Sequence, residues 1–191
     1  MEEKFILLFN LLDSFYVLHQ DTKQALANSI QIKEYKNGEI ILPQGDTNKH
    51  LYFLEKGLVR AFYYKDEKEL TSWIFPENTL FISVYSFLTQ TPSFETIEAI
   101  EDCTIFSISH SKLQELYNSY LDLNVVGRKL TEMYYVQMAE RATNLRMIDS
   151  KTRYENFIEN YPNLINRIPL GYVASYLGMS QETLSRIRKL K

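Results

Sequence analysis

Hydrophobic positions along this chain change their period twice. Over residues 2–30, Phe5, Leu8, Phe9 and Leu12 recur at helical offsets, and Leu26 and Ile30 share one face of a second run from about Asp21. Both read as helices that cover the end of a sheet. From Gln31 to about Ser109 the pattern shortens to strands divided by polar turns. Strands are expected at residues 32–35, 39–42, 51–54, 58–64 and 69–75. The turns are the Asn-Gly signal at 36–39, then 55–57 and the charged 65–68. After a break at 76–79 strands resume, ending in 96–101 and 104–108. Many short strands at this spacing predict a β-sandwich or roll.

Past Ser109 the helical period returns. A helix over residues 111–120 precedes one long run from about Leu121 to Ile148, in which Leu123, Leu130 and Gln137 are seven apart. Val126, Met133, Glu140 and Met147 repeat at the same interval. The first half reads as a coiled-coil seam and the second half turns polar. One helix of roughly 27 residues would be about 40 Å long. A small sandwich cannot cover that length, so its apolar face is expected to pair with a second copy. The alternative is a core helix broken near Gly127, since glycine costs only about 1 kcal/mol inside a helix. Asp149 and Ser150 break the pattern and offer a cap and a hinge, and a short helix over 151–161 ends at Pro162.

The terminal stretch, residues 168–191, concentrates the chemistry. Val173 and Leu177 share a face of an expected helix over 170–177, and Leu184 and Ile187 share a face of a second helix from Gln181. Gly178 suits the left-handed position that closes the first helix, and Ser180 suits the N-cap of the second. Two short helices joined by a glycine turn form a helix-turn-helix. Ser180, Gln181, Glu182, Ser185, Arg186 and Lys189 lie off the apolar stripe. Such a helix fits the major groove, where Arg can pair bidentately with guanine, Gln with adenine, and Glu can accept from cytosine. Residues 165–191 hold five Lys or Arg and one acid, a formal +4, which leaves −7 for residues 1–164 of a chain whose total is −3. This geometry also packs cores in proteins that never touch DNA. Spacing, polar readers and local charge agree here, so double-stranded DNA is the expected partner.

Composition narrows the remaining classes. Hydrophobic residues make up 45% and aromatics 14%, as befits a globular chain able to bury a core. Cys103 is the one cysteine, which excludes an intrachain disulfide and fits a reducing, cytoplasmic setting. Placed between strands, it reads as a buried structural thiol. No secretory h-region and no apolar run of about 18 residues is present, so neither secretion nor a membrane partner is expected. His19, His50 and His110 are scattered, so no metal or cofactor is expected. A small-barrel enzyme of the cupin class would need clustered His and Glu ligands, and no Ser-His-Asp set, Walker loop or paired-carboxylate motif suggests other catalysis.

The helical lead-in, the roll, the long helix and the terminal motif together resemble the CRP/FNR family of bacterial transcription regulators, over essentially the whole chain. The most specific segments are residues 38–45 (GEIILPQG), similar to the family's opening Gly-Glu turn, and 178–189 (GMSQETLSRIRK), similar to its recognition-helix signature. The resemblance implies an α+β fold: a sensor roll of the cyclic-nucleotide-binding type over 1–120, a dimerisation helix over 121–148 and a DNA-binding domain over 149–191. It implies a homodimer reading two-fold half-sites, with Glu182 and Arg186 as base-contacting residues and RNA polymerase as a further partner. Gln181 stands where the cyclic-AMP branch usually carries Arg, so the preferred sequence should differ. The family commonly adds a wing after the recognition helix, and only two residues follow Lys189; the wing is either absent or beyond the sequence given.

Departures from the resemblance bear on the effector. Cyclic-nucleotide-binding members carry Phe-Gly-Glu and, about ten residues later, Arg-Ser/Thr-Ala to hold ribose and phosphate. Here the matching segments read Phe81-Ile82-Ser83 and Thr91-Pro92-Ser93-Phe94-Glu95. The Gly, Glu and Arg are missing, and Glu95 would repel a phosphate. Cyclic AMP is therefore not expected to bind in the family's manner. An open pocket would be lined by Phe81, Ser83, Phe87, Ser93, Phe94 and Thr96, an apolar and hydroxylic site for an unidentified small-molecule effector. Alternatively these aromatics fill the roll, and the protein is a constitutive DNA binder. The cysteine-held iron–sulfur cluster of oxygen-sensing members is not available to Cys103 alone.

Overall fold

A computed structural model describes residues 2–189 and builds a mixed α+β chain, two four-stranded antiparallel sheets followed by helices. A short 3-10 turn at Glu2–Phe5 leads into α1 (Ile6–Phe15) and α2 (Gln20–Ser29). Strands β1 (Gln31–Tyr35), β2 (Ile40–Leu42), β3 (His50–Lys56), β4 (Val59–Lys65), β5 (Lys68–Phe75) and β6 (Thr79–Phe81) follow. Helix α3 (Val84–Thr89) precedes β7 (Thr96–Ala99) and β8 (Cys103–Ser109). Then come α4 (His110–Ser119), α5 (Leu121–Met147), α6 (Ser150–Asn160), α7 (Leu170–Tyr176) and α8 (Gln181–Lys189). Leu190 and Lys191, the end of the basic terminal stretch, lie outside the described residues.

One sheet runs β1-β8-β3-β6 and the other β2-β7-β4-β5. Alternation along the strands assigns side chains to two cores. Phe53, Leu80 and Phe106 meet Leu8, Leu12 and Leu26 of the leading helices, whereas Tyr52, Leu54, Phe81 and Ile105 face Val59, Phe75 and Ile97 of the second sheet. The leading helices therefore cover a face of the first sheet, where the sequence suggested an end. The Asn-Gly turn at 36–39 forms with Gly38 at φ +86°, yet the strands on either side pair with β8 and β7 in different sheets. Residues 84–89 are helix, where resumed strands were expected; Tyr85 and Leu88 are exposed, and Phe87 turns inward.

Helix α5 is continuous through Gly127, so the broken-helix alternative falls. A Cβ at Gly127 would lie 2.5 Å from the Tyr117 hydroxyl, so the glycine is what lets α4 seat its tyrosine against α5. The expected seam is displaced. Leu123 and Val126 are buried in the chain's own core and Leu130 packs on it, while Tyr135, Val136, Met138, Leu145 and Met147 of the second half lie exposed. Asp122 pins the start of α5 to the α1–α2 link: its carboxylate accepts from the His19 backbone N–H at 2.8 Å and from the Thr22 hydroxyl at 2.8 Å.

Candidate nucleic-acid interface and roll interior

The terminal helices form around one buried anchor. Leu184 is fully buried among Val173, Ala174, Leu177, Tyr154, Phe157 and Ile168, which joins α6, α7 and α8 in a third core. Gly178 adopts φ +66° at the turn, and the backbone N–H of Met179 donates to the Ala174 carbonyl at 3.0 Å. The Ser180 hydroxyl accepts from the Thr183 N–H at 3.2 Å, the N-cap bond its position predicted. With Leu184 facing inward, the helical period turns Gln181, Glu182, Arg186 and Lys189 outward, all exposed, as is Ser180; Ser185 is half-buried.

Arg188, passed over in the sequence reading, is exposed on the same helix. Its signal was available in the i, i+4, i+7 spacing of Gln181, Ser185 and Arg188. Among the described ion pairs none involves Arg186, Arg188 or Lys189, so their cationic charge is open to an incoming anion. The Ser180 hydroxyl next to Glu182 holds that exposed carboxyl below its usual range, so it is an acceptor at neutral pH.

The six residues named for an effector pocket do not share one lining. Phe81 is stacked between Tyr52 and Phe75 in the sandwich, with 5.1 Å between ring centres on each side. Phe87 belongs to the helical core, against His110. The Ser83 and Ser93 hydroxyls lie 3.0 Å apart, both buried. Ser93 also donates to the Glu95 carbonyl at 2.7 Å, and the Ser83 N–H donates to Asn48 Oδ1 at 2.7 Å. Thr96 accepts from the Gln44 N–H at 3.1 Å. Phe94 is exposed beside Tyr85, 5.5 Å between ring centres. The Glu95 carboxylate turns to the Ser72 hydroxyl at 2.9 Å.

Asn48 is the residue the sequence did not flag. It is fully buried and links the segment before β3 to the loop before α3, and its own N–H is taken by Ser86 at 2.8 Å. Isolated buried amides carry no periodic signal, so nothing in the sequence marked it. An apolar cavity of about 50 Å³ lies elsewhere, between the leading helices and α5, lined by Leu12, Tyr117, Val126 and Gly127 among others.

Burial pushes the Cys103 thiol up to about 11, and its Sγ donates to the Leu58 and Glu101 carbonyls at 3.3 and 3.2 Å. No cluster of three or more metal-ligating side chains occurs among the described residues. No described helix is long and apolar enough to cross a membrane.

Residues 32–120 match the family model of the cyclic nucleotide-binding domain. Three solved structures share the fold of the longer chain. The catabolite activator protein of Thermus thermophilus is 21% identical, with a TM-score of 0.59 over 94% of this chain and 85% of that one. FixK2 of Bradyrhizobium japonicum is 17% identical, with a TM-score of 0.70 over 84% of this chain and 83% of its own. A transcriptional regulator from Eubacterium rectale assigned to the crp/fnr family is 18% identical, with a TM-score of 0.67 over 91% and 83%.

Proposed function

We propose that this chain, whose residues 32–120 match the cyclic nucleotide-binding domain within the fold of CRP/FNR regulators, is a dimeric, sequence-specific DNA-binding transcription regulator of the cytoplasm. The supporting observation is the outward ridge of Gln181, Glu182, Arg186 and Lys189 over a fully buried Leu184. Arg186 would pair with guanine, Gln181 with adenine, and Glu182 would accept from cytosine, while Arg188 and Lys189 meet phosphate. The divisions are a roll over residues 1–120, a dimer helix over 121–148 and a reading domain over 149–191. The exposed apolar side chains on the second half of α5 supply the pairing face, and RNA polymerase is a further partner of the assembled dimer.

The interior hydroxyls of the roll find their partners within the chain. Ser83 and Ser93 satisfy each other where a cyclic phosphate would need cationic and N–H donors, which supports a constitutive binder. A second reading is gating by an effector other than cyclic AMP, and one observation favours it: Tyr85 and Phe94 lie exposed beside that serine pair. An apolar ligand wedged there would part the serines and shift the population of α5 orientations. Selection from a randomised duplex pool, followed by binding at graded salt, tests the whole proposal. A regulator retains a two-fold motif with an affinity that falls steeply with salt. A chain that captures no duplex at low salt is not a DNA-binding regulator.

A further inference from the structure

The last carbonyls of a helix need donors from elsewhere, and those of the α7–α8 turn find them on two other helices. Arg153 of α6 donates Nε to the Leu177 carbonyl at 2.8 Å and Nη2 to Gly178 at 3.4 Å. Arg141 of α5 donates Nη2 to the Tyr176 carbonyl at 2.8 Å, and the same nitrogen lies 3.2 Å from the Ser72 carbonyl of β5. The Arg141 guanidinium also stands 3.9 Å from the Tyr176 ring centre and 5.3 Å from that of Trp73. Three parts of the chain meet at this one side chain: the long helix, the edge strand of the second sheet and the helix that carries the turn.

The other end of α7 is held in a matching way. Tyr172, one helical turn before Tyr176, covers the buried Arg60 guanidinium of β4 at 3.6 Å. Between the two tyrosines the Ser175 hydroxyl accepts from the Thr71 N–H of β5 at 2.9 Å. Helix α7 thus lies along a sheet edge whose backbone would otherwise be open.

Arg141 differs from Arg60 in one respect. Arg60 is neutralised by Glu98 and Glu69, whereas Arg141 has no carboxylate among the described ion pairs, only carbonyls and rings. Burial accordingly lowers its pKa. A cation kept in such a place is held by geometry, because a planar fork can serve two carbonyls and a ring face together. Leu145, one turn further along α5, comes close to Gly178, where a Cβ would stand 3.0 Å from its Cδ2.

We propose that Arg141 is the positioning residue that fixes the angle of the α7–α8 pair to both the roll and the long helix. The proposal rests on the reading of α8 as the DNA-contacting helix. Any rotation of α5 on pairing with a second copy is passed through Arg141 to the Tyr176 carbonyl, and so to the direction in which α8 points. Arg141 itself need touch no nucleotide.

The test uses the full chain, with Lys68 and Lys189 replaced by cysteine, spin-labelled, and diluted with unlabelled chain for pulsed distance measurement. The parent should give one narrow roll-to-α8 distance. Arg141→Ala should give a distribution about twofold wider or displaced, with far-ultraviolet circular dichroism and oligomeric state unchanged. Arg141→Lys, whose compact ammonium lacks the planar face that lies on Tyr176 while Nη2 reaches the two carbonyls, should follow Arg141→Ala and decides the matter should the alanine variant fail to fold. On unlabelled protein, salt-dependent binding to mixed-sequence duplex should stay within about threefold of the parent, while selection from a randomised pool should return half-sites of relaxed spacing. A folded variant with the parent's narrow distance and spacing preference would overturn the proposal. A parent that binds no duplex would instead remove the DNA-reading role, leaving the distance measurement to decide the clasp by itself.

Discussion

The Ser83 and Ser93 hydroxyls lie 3.0 Å apart in the roll, and because the Ser93 proton goes to the Glu95 carbonyl, Ser83 is the donor of the pair. Removing one leaves the other buried and short of a bond, at about 1–3 kcal/mol for an unsatisfied group. Ser93→Ala should therefore lower the melting temperature by several degrees. Ligand linkage gives the companion expectation. A cyclic nucleotide at 100 times its dissociation constant would stabilise the fold by about 2.7 kcal/mol, so millimolar cyclic AMP should leave the parent's melting curve in place. A clear upward shift on adding it would show that an anion site exists despite the serine pair.

Gly57 lies in the turn between β3 and β4, against the start of β8. Its φ is +98°, and a Cβ there would stand 2.6 Å from both the Asp102 carbonyl oxygen and Cys103 Sγ. Backbone strain and overlap act together, so Gly57→Ala should destabilise by about 3 kcal/mol or more. Gly38→Ala has the strained φ of +86° but nothing within 4 Å of its Cβ, and should cost only about 1 kcal/mol. Chemical denaturation of the two variants side by side measures the difference. Equal losses would mean that the contact at Asp102 and Cys103 gives way without cost.

What could be read from the sequence follows from how local each signal is. Leu184, Gly178 and Ser180 sit within one short motif whose offsets alone dictate the fold, and the terminal helices form accordingly. The interior of the roll depends on partners far apart. Phe81 and Phe87 lie six residues apart, yet they enter different cores because the chain passes from β6 into α3 between them. Helix α3 is six residues long and has no period to show. The heptads of α5 mark an apolar face without saying what covers it, and for Leu123, Val126 and Leu130 the cover is the chain's own core.

Arg186 is exposed and joins no described ion pair, so its loss should leave the fold unchanged. Arg186→Ala should reduce affinity for the selected duplex by about 1–3 kcal/mol and relax the base preference at one position per half-site. Arg188→Ala should weaken binding to all sequences alike and reduce the salt slope by about one. Fluorescence anisotropy against the selected duplex and a scrambled one separates the two effects. An Arg186→Ala protein with undiminished discrimination would place base reading elsewhere on α8.

Acid should loosen the loop that leads into α7. Arg167 donates to Glu77 at 2.5 Å and to Glu101 at 2.6 Å, and Glu77 also accepts from the Gly57 N–H at 3.2 Å. Burial alone would raise the Glu77 pKa, but the Arg167 guanidinium together with the Glu77 and Gly57 backbone N–H groups outweighs it and holds the carboxyl below its ordinary 4.5. A depressed carboxylate contributes stability above the unfolded value and loses it as pH falls through the folded one. Docking of this loop on the roll should therefore hold at neutral pH and weaken below about pH 4.5. The groups are partly exposed, so the gain amounts to about 1 kcal/mol. Hydrogen exchange at residues 161–169 across pH 3–6, after correction for the intrinsic rate, reads the change. Glu77→Gln should flatten that profile, because glutamine keeps the shape and loses the titration. A variant with the parent's acid dependence would show that Glu77 is not the responsible group.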